Sequence, residues 1–133
     1  WAPDIIHVHG WMASLLPLYL KEYYKEEPLF TDSKIVTSVY NNGFEGDLNN
    51  DLVNKVNFDL TDASKSKVLK TPNYSNIIKS AIENSDAIIY GSESIDEELT
   101  SFVASKEIPS LEYEAENIKE TYLNFYADLL ADD

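Results

Sequence analysis

Three short runs of mainly β-branched and aliphatic residues, each followed by a stretch with helical spacing, constrain this fold most strongly. The runs lie near residues 5–9, 34–40 and 86–91, and Gly or Asn stands at or just after the end of each. Strands that alternate with helices predict a parallel sheet, because right-handed crossovers join successive parallel strands. We therefore predict an α/β fold with a Rossmann-like parallel sheet and flanking helices. Ligands bind such sheets at the carboxyl ends of the strands.

Amphipathic spacing and capping residues predict where the helices lie. Asp47 is the predicted N-cap of the second helix, and Ser94 with Glu97 forms a predicted capping box for the fourth. Residues 59–72 show no clear periodicity and are predicted to form a long loop, and residues 108–111 are predicted to form an irregular link. The five predicted helices span about 11–26, 47–57, 74–85, 94–105 and 114–130.

Charge and residue usage exclude several classes of partner. The 133 residues carry a net charge of −14, and all ten basic residues are Lys. Nucleic acids and anionic membranes attract cationic surfaces, so we expect neither as a partner. The chain has no Cys, which excludes disulfides and Cys-based zinc sites and favours a cytoplasmic protein. No apolar run approaches the ~20 residues that span a bilayer.

The carboxyl end of the first predicted strand carries the two histidines of the chain. Alternation along a strand places His7 and His9 on one face, and His9 lies nearer the crevice. A hydrogen-bonded structural role is the main interpretation for His7, whereas His9 is a candidate sugar contact. A metal site would need further His or Asp ligands, and the chain offers no third His, so we predict no metal.

The residues after the first two strands are the remaining site candidates. Gly10 predicts either a tight strand-to-helix turn or a close approach of ligand to the next helix. Trp11 either packs between helix and sheet or stacks on a sugar. Tyr40 and Asn41 end the second strand, and an Asn amide both donates and accepts hydrogen bonds, which suits hydroxyl-rich ligands. Glu45 is either a crevice carboxylate or a solvated loop residue.

Several stretches resemble bacterial glycogen synthases and plant starch synthases. The similarity is collinear over about residues 1–95. WAPDIIHVHGW at 1–11 resembles the family pattern W-x-P-D-[IV]-[IV]-H-x-H-D-W-H, and LLPLYL at 15–20 resembles L-x-P-x-Y-L. KIVTSVYN at 34–41 resembles K-x-V-x-T-[IV]-H-N, and FEG at 44–46 stands where the family has Y-Q-G. Residues 81–94 resemble G-[IL]-x-x-A-D-x-[IV]-x-x-V-S.

The resemblance implies a GT-B fold, in which two Rossmann-like lobes face each other across a cleft. Such enzymes move glucose from a nucleotide sugar, usually ADP-glucose, to an α-1,4-glucan, and they need no metal; we expect no cofactor. Residues 1–133 would form part of the N-terminal lobe, a fragment without the earlier strands and the C-terminal lobe. The expected partners are the nucleotide sugar, the α-glucan and the missing lobe segments.

The resemblance also places the glucosyl site, and the chain departs from the family there. By position the site residues are Gly10, Trp11, Met12, Tyr40 and Asn41. Gly10 stands for the family Asp, Met12 for its second His and Tyr40 for the His of its H-N pair. These replacements favour a second hypothesis, a carbohydrate-binding or regulatory relative without catalysis. Under either hypothesis we predict that this chain alone transfers no glucose.

Overall fold

Four parallel strands form the centre of the part of the molecule that the structure describes. The computed structural model describes residues 1–57 and 62–132. The strands β1 (Ile5–His9), β2 (Lys34–Val39), β3 (Ala87–Tyr90) and β4 (Ser110–Leu111) lie side by side in chain order, and all three pairings are parallel. The predicted α/β fold and its parallel sheet are confirmed. The irregular link predicted over 108–111 is wrong for Ser110 and Leu111, which pair with Ile88 and Ile89 of β3.

The first predicted helix, over 11–26, is instead divided in two. A 3₁₀ helix covers Trp11–Ala13, and the α-helix begins only at Leu16. Pro17 lies in its first turn, where a fixed φ and a missing N–H do no harm. The α-helices are α1 (Leu16–Glu22), α2 (Leu52–Val56), α3 (Tyr74–Glu83), α4 (Glu97–Lys106) and α5 (Ile118–Ala131).

The region between β2 and α3 differs from its prediction. Asp47 does not cap a helix; it forms an isolated antiparallel bridge with Asn73, and α2 begins at Leu52. The loop predicted over 59–72 is wrong for Ala63–Lys70, which form a 3₁₀ helix, while residues 58–61 lie outside the described residues. A 3₁₀ helix has three residues per turn, so the 3.6-residue periodicity of an α-helix does not reveal it.

The N-cap of α4 is Asp96, not Ser94. The Asp96 side chain accepts a hydrogen bond from the Glu98 backbone N–H at 2.9 Å, and the helix starts at Glu97. Asp and Ser are equally good N-caps, so the sequence alone could not separate the two starts. The shift moves Ser94 into the loop between β3 and α4.

Helices cover both faces of the sheet, as predicted. On the first face, side chains of β2 and β3, including Val39 and Ile88, pack against α3 and α4. On the second face, Val36 and Ile89 pack against α5. None of the helices in the described ranges combines the length and apolar character that crossing a bilayer requires.

One carboxylate joins α1 to the sheet. Asp86, just before β3, accepts hydrogen bonds from the Lys21 ammonium at 3.1 Å to each oxygen. It also accepts the backbone N–H of Ile35 at 2.7 Å, while its own N–H donates to the Ile35 carbonyl. The contacts of Asp86 therefore fix the relative positions of β2, β3 and α1.

Candidate sugar-binding site

His9 and Tyr40 meet at the carboxyl ends of β1 and β2. His9 pairs with Ser38 in the sheet, so Tyr40 follows two residues later on the same side. The Nδ1 of His9 lies 2.8 Å from the Tyr40 hydroxyl. If Tyr40 donates this hydrogen bond, Nε2 is the ring nitrogen of His9 that carries an N–H. Because His9 is exposed, that N–H can reach a hydroxyl-rich ligand.

The Tyr40 ring lies directly on the backbone of Gly91. A Cβ built on Gly91 would come within 2.3 Å of Tyr40 Cε1, so no larger residue fits without moving the ring. The Tyr74 hydroxyl also donates to the Tyr40 carbonyl at 2.5 Å. Sequence reasoning missed this role of Gly91, although a Gly directly after a strand is a signal of close packing.

Asn41 links the ends of β2 and β3. Its backbone N–H donates to the Ser92 hydroxyl at 3.0 Å, while the residue itself is exposed. The contact fixes the chain direction after β2. Three strand ends therefore carry polar groups at one edge of the sheet: His9, Tyr40 with Asn41, and Ser92.

Gly10 makes the turn that follows β1. Its φ of 73° and ψ of 178° belong to a region that is open essentially to glycine. The nearest atom to a Cβ built there is Tyr40 Cδ2 at 4.0 Å, an ordinary contact, so the backbone conformation and not lack of space requires Gly. Ser14 supports the turn by donating its hydroxyl to the Gly10 carbonyl at 2.8 Å.

Trp11 is engaged in packing. Its ring lies 4.7 Å from that of Phe44, and the half-buried side chain packs against the cores around both Val39 and Leu18. Glu45, the next residue after Phe44, is exposed in the loop. The structure thus brings His9 and Tyr40 into contact, with Gly10 beside the Tyr40 ring, and Asn41 is the next residue along the chain.

His7 lies two residues earlier on the same face of β1, stacked on His9 with ring centroids 4.0 Å apart. The predicted shared face of the two histidines and the structural role of His7 are confirmed, because its Nε2 lies 2.7 Å from the Ser38 hydroxyl and its Nδ1 contacts the Tyr126 hydroxyl. Burial, and secondly the charge of His9, lowers the pKa of His7 from 6.5 to about 4. The ring is therefore neutral near pH 7.

The side chains at this edge can form hydrogen bonds with the uncharged polar groups of a ligand. Imidazole, phenol and amide side chains can each donate and accept, which matches sugar hydroxyls. Across residues 1–57 and 62–132, no group of three or more His, Cys, Asp or Glu could hold a metal ion. His7 and His9 are thus not joined by a third ligand within that part of the chain.

Comparison with known proteins identifies the family. A model of the starch synthase catalytic domain matches residues 1–111, which include all four strands and the His9–Tyr40 edge. The chain belongs to the starch synthase catalytic domain family. The family match ends at β4, so helix α5 and its Tyr126 contact to His7 lie beyond it.

Relatives of the starch synthase family support the assignment. Glycogen synthase of Chlorobium phaeovibrioides is 33% identical over 100 residues, which cover 75% of this chain and 20% of the relative. Glycogen synthase of Chlorobium luteolum is 32% identical over 88 residues, covering 66% and 17%. That of Thermotoga maritima is 41% identical over 44 residues, covering 33% and 9%. The matched part of the chain thus spans a fifth or less of these relatives.

Proposed function

We propose that this chain is part of the N-terminal lobe of a glycogen synthase-like glucosyltransferase that moves glucose from ADP-glucose to an α-1,4-glucan in the cytoplasm. The family match over residues 1–111 carries the proposal, and the relatives are named glycogen synthases. Because the chain spans only a fifth of the first of these relatives, further segments would complete the lobe and add the C-terminal lobe.

In this proposal the edge formed by His9, Tyr40 and Asn41 contacts the glucosyl unit. His9 would donate from Nε2, and the exposed Asn41 amide would bind a second hydroxyl. Gly10 and Trp11 would shape the edge through the turn and the packing described above, and Glu45 would lie at its rim. The hydrogen bond between His9 and Tyr40 holds both rings in place before a ligand arrives, which lowers the entropic cost of binding.

The donor phosphates would be held by parts of the protein other than this chain. Departure of a nucleoside diphosphate requires positioned cations or helix N-termini. The chain contains no Arg and has a net charge of −14. Transfer also requires both substrates to be held in register, which an opposing lobe would provide. The chain alone is therefore expected to be inactive and to bind ADP-glucose weakly.

A second candidate function is carbohydrate binding without transfer. Gly10 and Met12 offer no polar side chain where the family resemblance implies Asp and His. The Tyr40 hydroxyl, in place of a family His, is already bonded to His9. An edge altered in this way could retain a sugar and yet lack the groups that assist departure of the nucleotide.

A glucose-incorporation assay on the complete protein separates the two candidates. Radiolabelled ADP-glucose and a glycogen primer are supplied to the complete protein, to its Asn41→Ala variant and to a matched Asn124→Ala control on the surface of α5. If the transferase proposal holds, the rate of glucose incorporation should fall at least about tenfold in Asn41→Ala, because the variant loses about one hydrogen bond to the bound sugar. The rate should stay unchanged in the Asn124→Ala control. Glycogen binding without incorporation would establish the second candidate instead. Incorporation by residues 1–133 alone would show that the active site is misplaced.

A further inference from the structure

Two stacked imidazole rings, each in contact with a tyrosine hydroxyl, lie at the carboxyl end of β1. The rings of His7 and His9 have centroids 4.0 Å apart and planes inclined by 26°. The Nδ1 of His9 contacts the Tyr40 hydroxyl, and the Nδ1 of His7 contacts the Tyr126 hydroxyl. Tyr40 follows β2, whereas Tyr126 belongs to α5. The same contact thus occurs twice, once on an exposed ring and once on a half-buried ring.

Both ring nitrogens of His7 are engaged. A neutral imidazole has one N–H donor and one acceptor. The Nε2 of His7 lies 2.7 Å from the Ser38 hydroxyl of β2, and its Nδ1 contacts Tyr126 of α5. Because each hydroxyl can donate or accept, the two bonds suit either neutral tautomer. The bonds come from two different elements, so together they fix the plane of the His7 ring.

The packing of α5 determines where the Tyr126 hydroxyl lies. Leu129, on the same helix, is only 6% exposed and packs with Val36 and Ile89 of the sheet. The Tyr126 ring meets the His7 ring edge to face, with centroids 5.8 Å apart and planes inclined by 84°. A hydroxyl on a packed helix is held in place before it forms its bond, which makes it an effective support for its partner.

His9 depends on its neighbours for a fixed orientation, because its side chain is exposed. An exposed side chain samples several rotamers unless contacts restrict it. One face of the His9 ring lies against His7, and its Nδ1 lies 2.8 Å from the Tyr40 hydroxyl. If the His7 ring turned, His9 would lose this stacked face, and the geometry of its bond to Tyr40 would change. The orientation of His9 therefore depends on that of His7.

Helix α5 lies outside the part of the chain that matches the family. The match ends at residue 111, and α5 begins at Ile118. Tyr40 stands where the family resemblance implies a His. The two tyrosines that contact the histidines thus lie at a departure from the family pattern and beyond the family match. The contact of Tyr126 with His7 is therefore a feature of this chain that the family match does not cover.

We propose that Tyr126 is a positioning residue for the candidate site: through His7 it holds His9 in the orientation in which His9 bonds to Tyr40. The link from Tyr126 to His9 rests on the observed contacts, whereas its importance for glucose transfer rests on the proposed function. Helix α5 is accordingly a support of the site. Loss of the Tyr126 hydroxyl would leave His7 with its bond to Ser38 alone and would loosen the stacked pair.

The test is the ¹⁵N resonance of His9 Nδ1, measured by long-range ¹H–¹⁵N NMR on the labelled 133-residue chain at about pH 8, where an ordinary histidine is neutral. A hydrogen bond accepted by a ring nitrogen displaces its resonance, so Tyr40→Phe gives the value without that bond. We expect Tyr126→Phe to move the His9 resonance at least half of the way to that value. Tyr24→Phe, the same change at an exposed tyrosine after α1, is the matched control and should leave the resonance in place.

A double variant identifies the route from Tyr126 to His9. If Tyr126 acts through His7, adding Tyr126→Phe to His7→Gln should move the His9 resonance no further. Ser38→Ala removes the other bond to His7, so it should move the resonance in the same direction, and it supplies the same test if Tyr126→Phe does not fold. A His9 resonance that stays in place in folded Tyr126→Phe or in Ser38→Ala would overturn the inference. A further displacement in the His7→Gln background would overturn it as well.

Glucose incorporation by the complete protein measures the consequence for transfer. Tyr126→Phe should lower the rate at least about fivefold, because small misplacements of a binding group are costly, and Tyr24→Phe should not. The two readouts fail separately: a complete protein without transfer refutes the proposed transferase and leaves the NMR result standing. Full transfer by Tyr126→Phe with a displaced His9 resonance would refute the role of Tyr126 in the reaction.

Discussion

The lowered pKa of His7 makes this ring a specific source of acid sensitivity. Burial is the main cause and the charge of His9 the second, and together they move the pKa from 6.5 to about 4. As the pH falls from 6.5 towards 4, the unfolded chain binds a proton that the folded chain does not. The free energy of unfolding therefore decreases across this window. Substituting His7→Gln should remove that part of the decrease.

The size of the effect follows from the two pKa values. A pKa of 6.5 in the unfolded chain and about 4 in the folded chain corresponds to about 3 kcal/mol at full effect. The ring is only half-buried, so water screens part of the interaction, and we halve the figure to about 1.5 kcal/mol. Most of this loss should be present at about pH 4.5, where the folded ring remains mainly neutral.

The assay is urea unfolding at about pH 7 and about pH 4.5 for the unchanged chain, His7→Gln and His9→Gln. Carboxylates titrate in all three, so the difference between proteins isolates the ring. We expect the unchanged chain to lose about 1.5 kcal/mol more than His7→Gln between the two pH values. His9→Gln should behave much like the unchanged chain, because burial is the larger cause of the low pKa. Equal losses in the unchanged chain and His7→Gln, or an NMR titration of His7 near 6.5, would refute this reasoning.

Two further predictions concern the contacts that hold the sheet edge and α1. Gly91→Ala should lower the free energy of unfolding by about 1–3 kcal/mol, because its Cβ would overlap the Tyr40 ring. Chemical denaturation should show that this loss largely disappears when Tyr40→Ser is also present. An equal loss with and without Tyr40→Ser would contradict the contact. Asp86→Ala should destabilise the fold by about 1 kcal/mol more than Asp86→Asn, since only Asn keeps an oxygen that can accept the buried Ile35 N–H. Thermal unfolding of the two variants measures the difference. Identical stabilities would show that the Ile35 N–H does not need this side chain.

The strands that the sequence reveals are those with a compact apolar run, and two of them, β2 and β3, are almost wholly buried. Residues 5–9, 34–39 and 87–90 are compact runs of that kind, and alternation with helices is sufficient to predict parallel pairing. Ser110 and Leu111 were not predictable as β4, because two residues carry no period. They become a strand only through hydrogen bonding to β3.

The candidate site shows the same division between local and long-range information. The strand-end positions of His9, Tyr40 and Asn41 follow from the sequence, and so does the shared face of His7 and His9. Tyr126 lies 119 positions after His7 in the sequence, and no local pattern predicts the contact of its hydroxyl with His7. Likewise, only the folded structure shows that Tyr40 rests on Gly91 and that α4 begins after Asp96 and not at Ser94.

The position of α5 has a consequence for how the chain acquires its structure during synthesis. Residues leave the ribosome in order, so α3 and α4 can cover the first face of the sheet early. Val36 and Ile89 on the second face, and His7 beside them, lack their final neighbours until Ile118–Ala131 emerge. Until then a nascent sheet would present an apolar surface to chaperones or to other chains. A truncation placed at residue 111, where family similarity ends, would make that transient state permanent.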